Sequence, residues 1–259
     1  MIEKIGLQTF TIRNDIQTPQ EIENSLRFYS SKGIKKFELA RINFFKEDLN
    51  VLLKLKSELG LEYTASQITL KKIIKKFDFI MEFSSALDIK HLEVSVIPFI
   101  YFLQKQNGII ELSQKLNELG RKTKERGINL LFHHHNYELI KYNDKLSLDI
   151  LMDNTDSNLV NLVCDTYWLA RSGYNSSSFI QSRIDRVKGL HLRDNKFYYS
   201  FGKFNYTDTT IGDGTIDFKS ILGLDKLGNI DFYSIEQDTQ NPREDIIRSY
   251  SYLNELCEN

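Results

Sequence analysis

Proline and cysteine are scarce in this chain. Three prolines are spread over 259 residues, and none falls inside a run with helical spacing, so nothing forces a kink. No stretch rich in Pro, Gly or Ser divides the sequence and no low-complexity tract interrupts it, which argues against a flexible linker between two units. Two cysteines, Cys164 and Cys257, form no disulfide framework, so a reducing compartment is expected. Cys164 ends an apolar run with no activating context and reads as a small buried hydrophobe.

An excess of charge of either sign is also missing. With 34 Lys and Arg against 35 Asp and Glu, the formal net charge is −1, and the phosphate neutralisation on which nucleic-acid binding rests is not expected. The basic run "KKIIKK" (71–76) reads as the solvated face of a helix with Ile73, Ile74 and Phe77 turned inward. No segment approaches the ~20 apolar residues of a membrane span. The opening "MIEKIGLQTFTIR" has neither a long apolar centre nor a cleavage pattern, so the chain reads as cytoplasmic. What is present is an ordinary globular balance, 41% hydrophobic and 27% charged, enough for a large core.

Short apolar stretches alternate with longer amphipathic ones. Expected strands are 3–10, 34–40, 61–67, 90–97, 128–135, 158–165, 186–194 and 230–238. Between them lie helical patterns at 18–33, 47–60, 69–88, 109–127 and 242–257, with the weakest one after the sixth strand. Thr18–Pro19 followed by Glu21 reads as a helix start, and Gly33, Gly60 and Gly127 as left-handed helix ends. The segment Lys196–Asp213, rich in Tyr, Phe and Thr, is expected to be a long loop over one end. Eight strands mostly separated by helices predict a single-domain (β/α)8 TIM barrel over 1–259, with an open doubly wound sheet as the alternative.

In such a barrel, functional side chains come from the C-terminal strand ends and the loops that follow. Side chains alternate along a strand, so in "INLLFHHHNYEL" (128–139) Leu131, His133 and His135 share one face while His134 lies on the other. Val163 and Asp165 share a face on the sixth strand, Gly189, His191 and Arg193 on the seventh, and Ser234, Glu236 and Asp238 on the eighth. Four successive strands thus end in His/Glu, Asp, His and Glu. Neighbouring strands lie about 4.8 Å apart, so these groups can converge on one divalent ion. A lone His or Asp at a strand end is commonly just a hydrogen-bonded polar group; the coincidence over four strands is what points to a site. Asp194 and Asp238 read as partners that orient a ligand or as caps.

These residues carry a family resemblance. "GLQTFTIR" (6–13), "LFHHHNYEL" (131–139), "LVCDTYWLARSG" (162–173), "VKGLHLRD" (187–194), "TIGDGTIDF" (210–218) and "YSIEQD" (233–238) resemble, in order and spacing, the sugar phosphate isomerase/epimerase family of xylose isomerase-like barrels. The resemblance implies a divalent metal (Mn2+, Zn2+, Co2+, Fe2+ or Mg2+) held by Glu, Asp, His and Glu. Asp165, His191 and Glu236 match the last three positions. For the first, Glu138 is favoured, with His133 or His135 as the alternative ligand or base. Two departures bear on substrate: relatives often carry a His where Ser66 and Gln67 stand, and Arg193 replaces a usual Lys with a fixed fork.

The chemistry implied is proton abstraction next to the carbonyl of a sugar-like substrate, by isomerisation or epimerisation through an enediolate. Glu236 would accept a proton, and His133, His135 or Glu138 would return one or assist hydroxide departure. Trp168, with Tyr167, is expected to wall a sugar ring, and Gln8 and Arg193 to contact substrate. Alternatives are a dehydratase or lyase acting on an inosose or 3-keto-glycoside, an apurinic endonuclease-like enzyme, or a non-catalytic sugar-binding barrel. The expected partner is a small sugar, without nucleic acid or membrane; assembly as a homo-oligomer stays open.

Overall fold

The computed structural model describes residues 2–225 and 227–258. Eight parallel strands close into a barrel: β1 (Ile5–Gln8), β2 (Lys36–Ala40), β3 (Glu62–Ile68), β4 (His91–Ser95), β5 (Asn129–His133), β6 (Val160–Asp165), β7 (Val187–Leu192) and β8 (Phe232–Ile235). Closure runs through Ile5 opposite Tyr233 and Leu7 opposite Ile235. The open-sheet alternative is thereby excluded, and the fold is the expected (β/α)8 barrel.

Local chemistry explains where the helices begin and end. In α1 (Pro19–Ser31) the Thr18 hydroxyl accepts from the Glu21 N–H at 3.2 Å, and the Glu21 carboxylate accepts from the Thr18 N–H at 2.9 Å. This reciprocal cap satisfies two donors that a helix start leaves unpaired. Helix α2 (Lys46–Leu59) stops at Gly60, whose φ of 64° is the left-handed conformation only glycine adopts freely. The expected single helix over 69–88 is instead two, α3 (Leu70–Lys75) and α4 (Phe77–Ala86), broken at Lys76 where φ is −125°. Ile73 is buried, but Ile74 is 62% exposed, so the basic run has only part of its apolar face inward.

The expected loop at 196–213 is a second departure. Residues Asp194–Ser200 and Lys203–Thr209 pair as an antiparallel hairpin standing on the barrel rim. Its two-residue turn, Phe201–Gly202, has positive φ at both positions (50° and 76°), the mirror-image turn that matches strand twist. Tyr, Phe and Thr favour extended backbone, and the cross-strand rings Phe197–Tyr206 and Tyr199–Phe204 meet edge to face.

Outward-facing strand residues such as Leu130, Phe132, Leu162, Cys164 and Leu190 join the core shared with the helices. Burial pushes the Cys164 thiol up to about 12, consistent with its reading as a hydrophobe. Inside the barrel, Ala65, Leu131, Val163 and Phe232 form an apolar floor. Gly189 makes room for it: a Cβ there would meet the Phe232 ring at 2.3 Å.

Candidate metal centre and active site

Because strand side chains alternate, the position two residues beyond each floor residue also faces inward, and those positions are polar. Leu131 leads to His133, Val163 to Asp165, Gly189 to His191, and Phe232 through Ser234 to Glu236. His133, Asp165, His191 and Glu236 are all buried, and each offers a ligand atom within 4.8 Å of the others.

The partners of each group indicate which atom is free to face the centre. The Asp165 Oδ1 accepts the N–H groups of Tyr167 (2.9 Å) and Trp168 (3.1 Å), capping α5 (Thr166–Arg171) and leaving Oδ2, which lies 3.5 Å from His133 Nε2. His191 turns Nε2 toward Glu38 (2.9 and 3.1 Å) and Glu93 (3.6 Å), while its Nδ1 lies 2.8 Å from Glu236 Oε2. A carboxylate behind an imidazole is the arrangement that orients a metal-ligating histidine. Neither ring nitrogen of His133 has a hydrogen-bond partner, although the side chain is buried. Two imidazoles and two carboxylates, with orphaned ring nitrogens pointing among them, fit a divalent cation.

Electrostatics separates the two histidines. Burial, reinforced by His191, holds His133 well below its ordinary value, so its ring is neutral and available as a ligand. Burial acts the same way on His191 but is outweighed by Glu38 and Glu236, which raise it well above its usual value. Burial and the adjacent Glu38 push the Glu93 carboxyl well above the carboxylate range. Glu236 is the reverse: burial opposes ionisation, yet Arg193 and His191 hold it well below the ordinary range.

Arg193 is buried in the same group. Its Nη1 donates to Glu236 Oε1 at 2.8 Å and to Asp165 Oδ2 at 3.3 Å, and Nη2 donates to Asp208 Oδ2 at 2.6 Å. Its guanidinium stacks 4.8 Å from the Tyr167 ring centre and 5.6 Å from that of Trp168. Above these groups opens a cavity of about 370 Å³ whose wall includes Gln67, His133, His135, Trp168, Arg193, Asp208 and Glu236. A larger hollow of about 540 Å³, lined by Asp149, Arg183 and Arg186, holds none of the strand-end residues.

Not every expected site residue joins the cluster. Glu138, favoured as first ligand, is absent from it; its carboxylate turns back to accept the His135 N–H at 2.7 Å, in the short helical turn Tyr137–Leu139. His133, on the inward face of β5, is the group that clusters with Asp165, His191 and Glu236, whereas Glu138 lies in the turn that follows. His135 lines the cavity, stacked on Tyr137, with Nδ1 unpartnered. His134, on the opposite face, accepts the Asp165 N–H at Nε2 (3.2 Å) and donates from Nδ1 to the His135 carbonyl (3.2 Å), so it braces the sixth strand end. Gln8 is fully buried and spends its Oε1 on the Phe10 N–H at 2.7 Å; it caps a helical turn and is not on the cavity wall.

Residues 26–256 match the family model described as xylose isomerase-like TIM barrel. The chain belongs to that family. A curated inosose dehydratase of Clostridium perfringens is 33% identical over 160 residues, 56% of this chain and 53% of the relative, so the chain spans about half the length of that curated relative. A sugar phosphate isomerase/epimerase structure from Parabacteroides distasonis superposes with a TM-score of 0.76 at 21% identity, covering 96% of this chain and 93% of that one. A xylose isomerase-like barrel from Mycobacterium smegmatis in complex with magnesium gives 0.75 at 12% identity, covering 98% and 96%.

Within this xylose isomerase-like barrel, three groups escaped a reading confined to strand ends. Glu38 and Glu93 sit mid-strand in "FELA" and "LEVS", and a lone carboxylate on the inward face of an apolar strand is itself a signal, because such groups are almost never buried without a partner. Asp208 carried no such signal, since it arrives on the second strand of the hairpin.

Proposed function

We propose that this barrel is a divalent-metal-dependent enzyme acting on a sugar-like keto substrate, taking a proton from the carbon next to the carbonyl and expelling the adjacent hydroxyl as water. His133, Asp165, His191 and Glu236 would hold the ion, and Glu138 would not. When bound, a divalent ion supplies Lewis-acid polarisation of the carbonyl and charge stabilisation as the enediolate or enolate develops. The observation that carries the reading is the buried cluster of His133, Asp165, His191 and Glu236 at the base of a cavity that His135, Trp168 and Arg193 also line.

Glu236, kept anionic, accepts the proton from carbon. Arg193 fixes that carboxylate and offers a cation to the negative charge that builds on substrate oxygen. His135, with a free Nδ1 on the wall, would hold the departing hydroxyl, which leaves as water with the proton that Glu236 took from carbon. Trp168 offers an apolar face to the ring. The C. perfringens relative's name supports dehydration. Isomerisation or epimerisation through the same first step is the second reading. It is favoured by the placement of Glu236 on the cavity wall beside the reacting groups, where the proton it removes from one carbon can be returned by it to the neighbouring carbon of the enediolate.

The test is incubation of Mn2+- or Zn2+-loaded protein with ketoses, an inosose and a 3-keto-glycoside in D2O. Mass loss of water establishes dehydration; solvent deuterium next to the carbonyl without water loss establishes the second reading. Glu236→Gln should abolish either signal. If no substrate exchanges or eliminates, or if Glu236→Gln remains as active as the parent, the proposal fails.

A further inference from the structure

We infer that Asp208, brought into the site by the rim hairpin, positions Arg193 and accepts a hydrogen bond from a substrate hydroxyl, which makes the hairpin part of the active site. The inference rests on the function proposed above and names what that site selects: a polyhydroxylated ring.

Asp208 Oδ2 is fully engaged. It accepts from Arg193 Nη2 at 2.6 Å and Nε at 3.2 Å, and from the Asp238 N–H at 3.1 Å. The guanidinium thus donates two hydrogen bonds to one carboxylate oxygen on the hairpin side, while its remaining fork atom, Nη1, reaches Glu236 and Asp165. Asp208 Oδ1 is buried, has no hydrogen-bond partner, and belongs to a residue on the cavity wall. A buried carboxylate oxygen left bare costs its desolvation unless a donor reaches it. Neutralising Arg193 does not explain it, because Asp165 and Glu236 already supply two anions to that cation.

The hairpin base is held by hydrogen bonds next to Asp208. Asp208 pairs with Asn195 at the hairpin base, next to the Asp194–Thr209 pair. The Asp194 carboxylate accepts the N–H groups of Gly212 and Gly214 at 3.0 Å each and of Ile216 at 3.1 Å. A Cβ at Gly214 would meet Asp194 Oδ1 at 2.2 Å, so the glycine permits the clasp. The aromatic tip rises free of these contacts, with Phe201 fully exposed. Burial pushes the Asp208 carboxyl up to about 6 even against Arg193, so a donor reaching Oδ1 would favour its ionised form.

Asp208→Asn and Asp208→Ala in the metal-loaded protein provide the test, with thermal melting to confirm folding. A polyhydroxylated cyclohexanone and its single-deoxy analogues serve as substrates, and quenching of the sole tryptophan, Trp168, reports binding of the non-reacting polyol inositol. Either variant should raise KM and weaken inositol binding by about 10–100-fold, the worth of a charge-assisted hydrogen bond. One deoxy analogue should lose its disadvantage in the variants. Combining Asp208→Asn with Arg193→Lys should lower kcat less than the product of the single effects, because both act on one guanidinium. Unchanged KM, unchanged discrimination and unchanged inositol binding in folded variants would overturn the inference. The inositol arm separates failures: a wild-type protein that binds inositol through Asp208 but turns nothing over sinks the reaction and keeps this contact.

Discussion

Glu138 and Glu236 are both carboxylates just past a strand, yet their surroundings divide their roles. Glu236 extends the inward row of β8 and meets Arg193 and His191. Glu138 lies in a helical turn, where burial raises its carboxyl to about 7 even though the His135 N–H and other backbone donors pull it down. In a calorimetric titration with Mn2+ or Zn2+, His133→Ala should therefore weaken binding by more than the ~10–100-fold that loss of an outer partner typically costs, whereas Glu138→Gln should stay close to the parent. Equal losses in both would restore Glu138 as a ligand. Glu138 also sets a pH trend. Its folded value lies above the unfolded one, so its stabilising contribution is complete below about 4.5 and fades as pH rises through about 7. Glu138→Gln removes that loss, so its melting temperature relative to the parent should climb between pH 5 and pH 8; a flat difference would contradict the burial. At this scale Asp165, His191 and Glu236 were legible because strand parity alone places them inward. The first position was not, because parity marks His133 while the resemblance marks Glu138, and parity says nothing of a residue beyond the strand end.

Strands were the most legible elements, since period-two alternation and the glycines before them leave few other choices. The hairpin at 194–209 was not, because its aromatic rings are largely exposed and so carry no inward-outward pattern. The break at Lys76 was hidden for a related reason: the basic run reads as one helix face until Ile74 is seen to be exposed. The barrel floor offers the sharpest test of an element's packing. Gly189 faces the Phe232 ring at a distance no Cβ could accept, so Gly189→Ala must displace the ring or bend β7. A cost of about 1–3 kcal/mol in denaturant unfolding is expected, as for other overpacked cores. Pairing it with Phe232→Leu should recover part of that cost. Metal affinity should fall as well, because His191 sits two residues above the strained position. Wild-type stability in Gly189→Ala would show that the floor is loosely packed.

Across the whole molecule, like charges gather at one end of the barrel. Glu38, Asp165, Asp208 and Glu236 are buried together around His191 and Arg193, while the chain as a whole carries a net charge of only −1. Bringing several carboxylates out of water costs folding free energy that hydrogen bonds and two cations offset only partly. A divalent ion that binds the folded centre and not the unfolded chain would supply the missing counter-charge, and its stabilisation follows mass action: about 2.7 kcal/mol at a free concentration 100 times Kd. For a chain of this size, at about 2–4 °C per kcal/mol, that corresponds to a rise in Tm of about 5–10 °C, reversed by chelator. The gain should vanish in His133→Ala and persist in Glu138→Gln, and it should be nearly insensitive to added salt because the charges are buried. A Tm that responds to metal equally in His133→Ala would place the ion elsewhere. A parent Tm indifferent to every divalent ion and to chelator would remove the metal from the mechanism and leave Arg193 as the cation that faces Glu236.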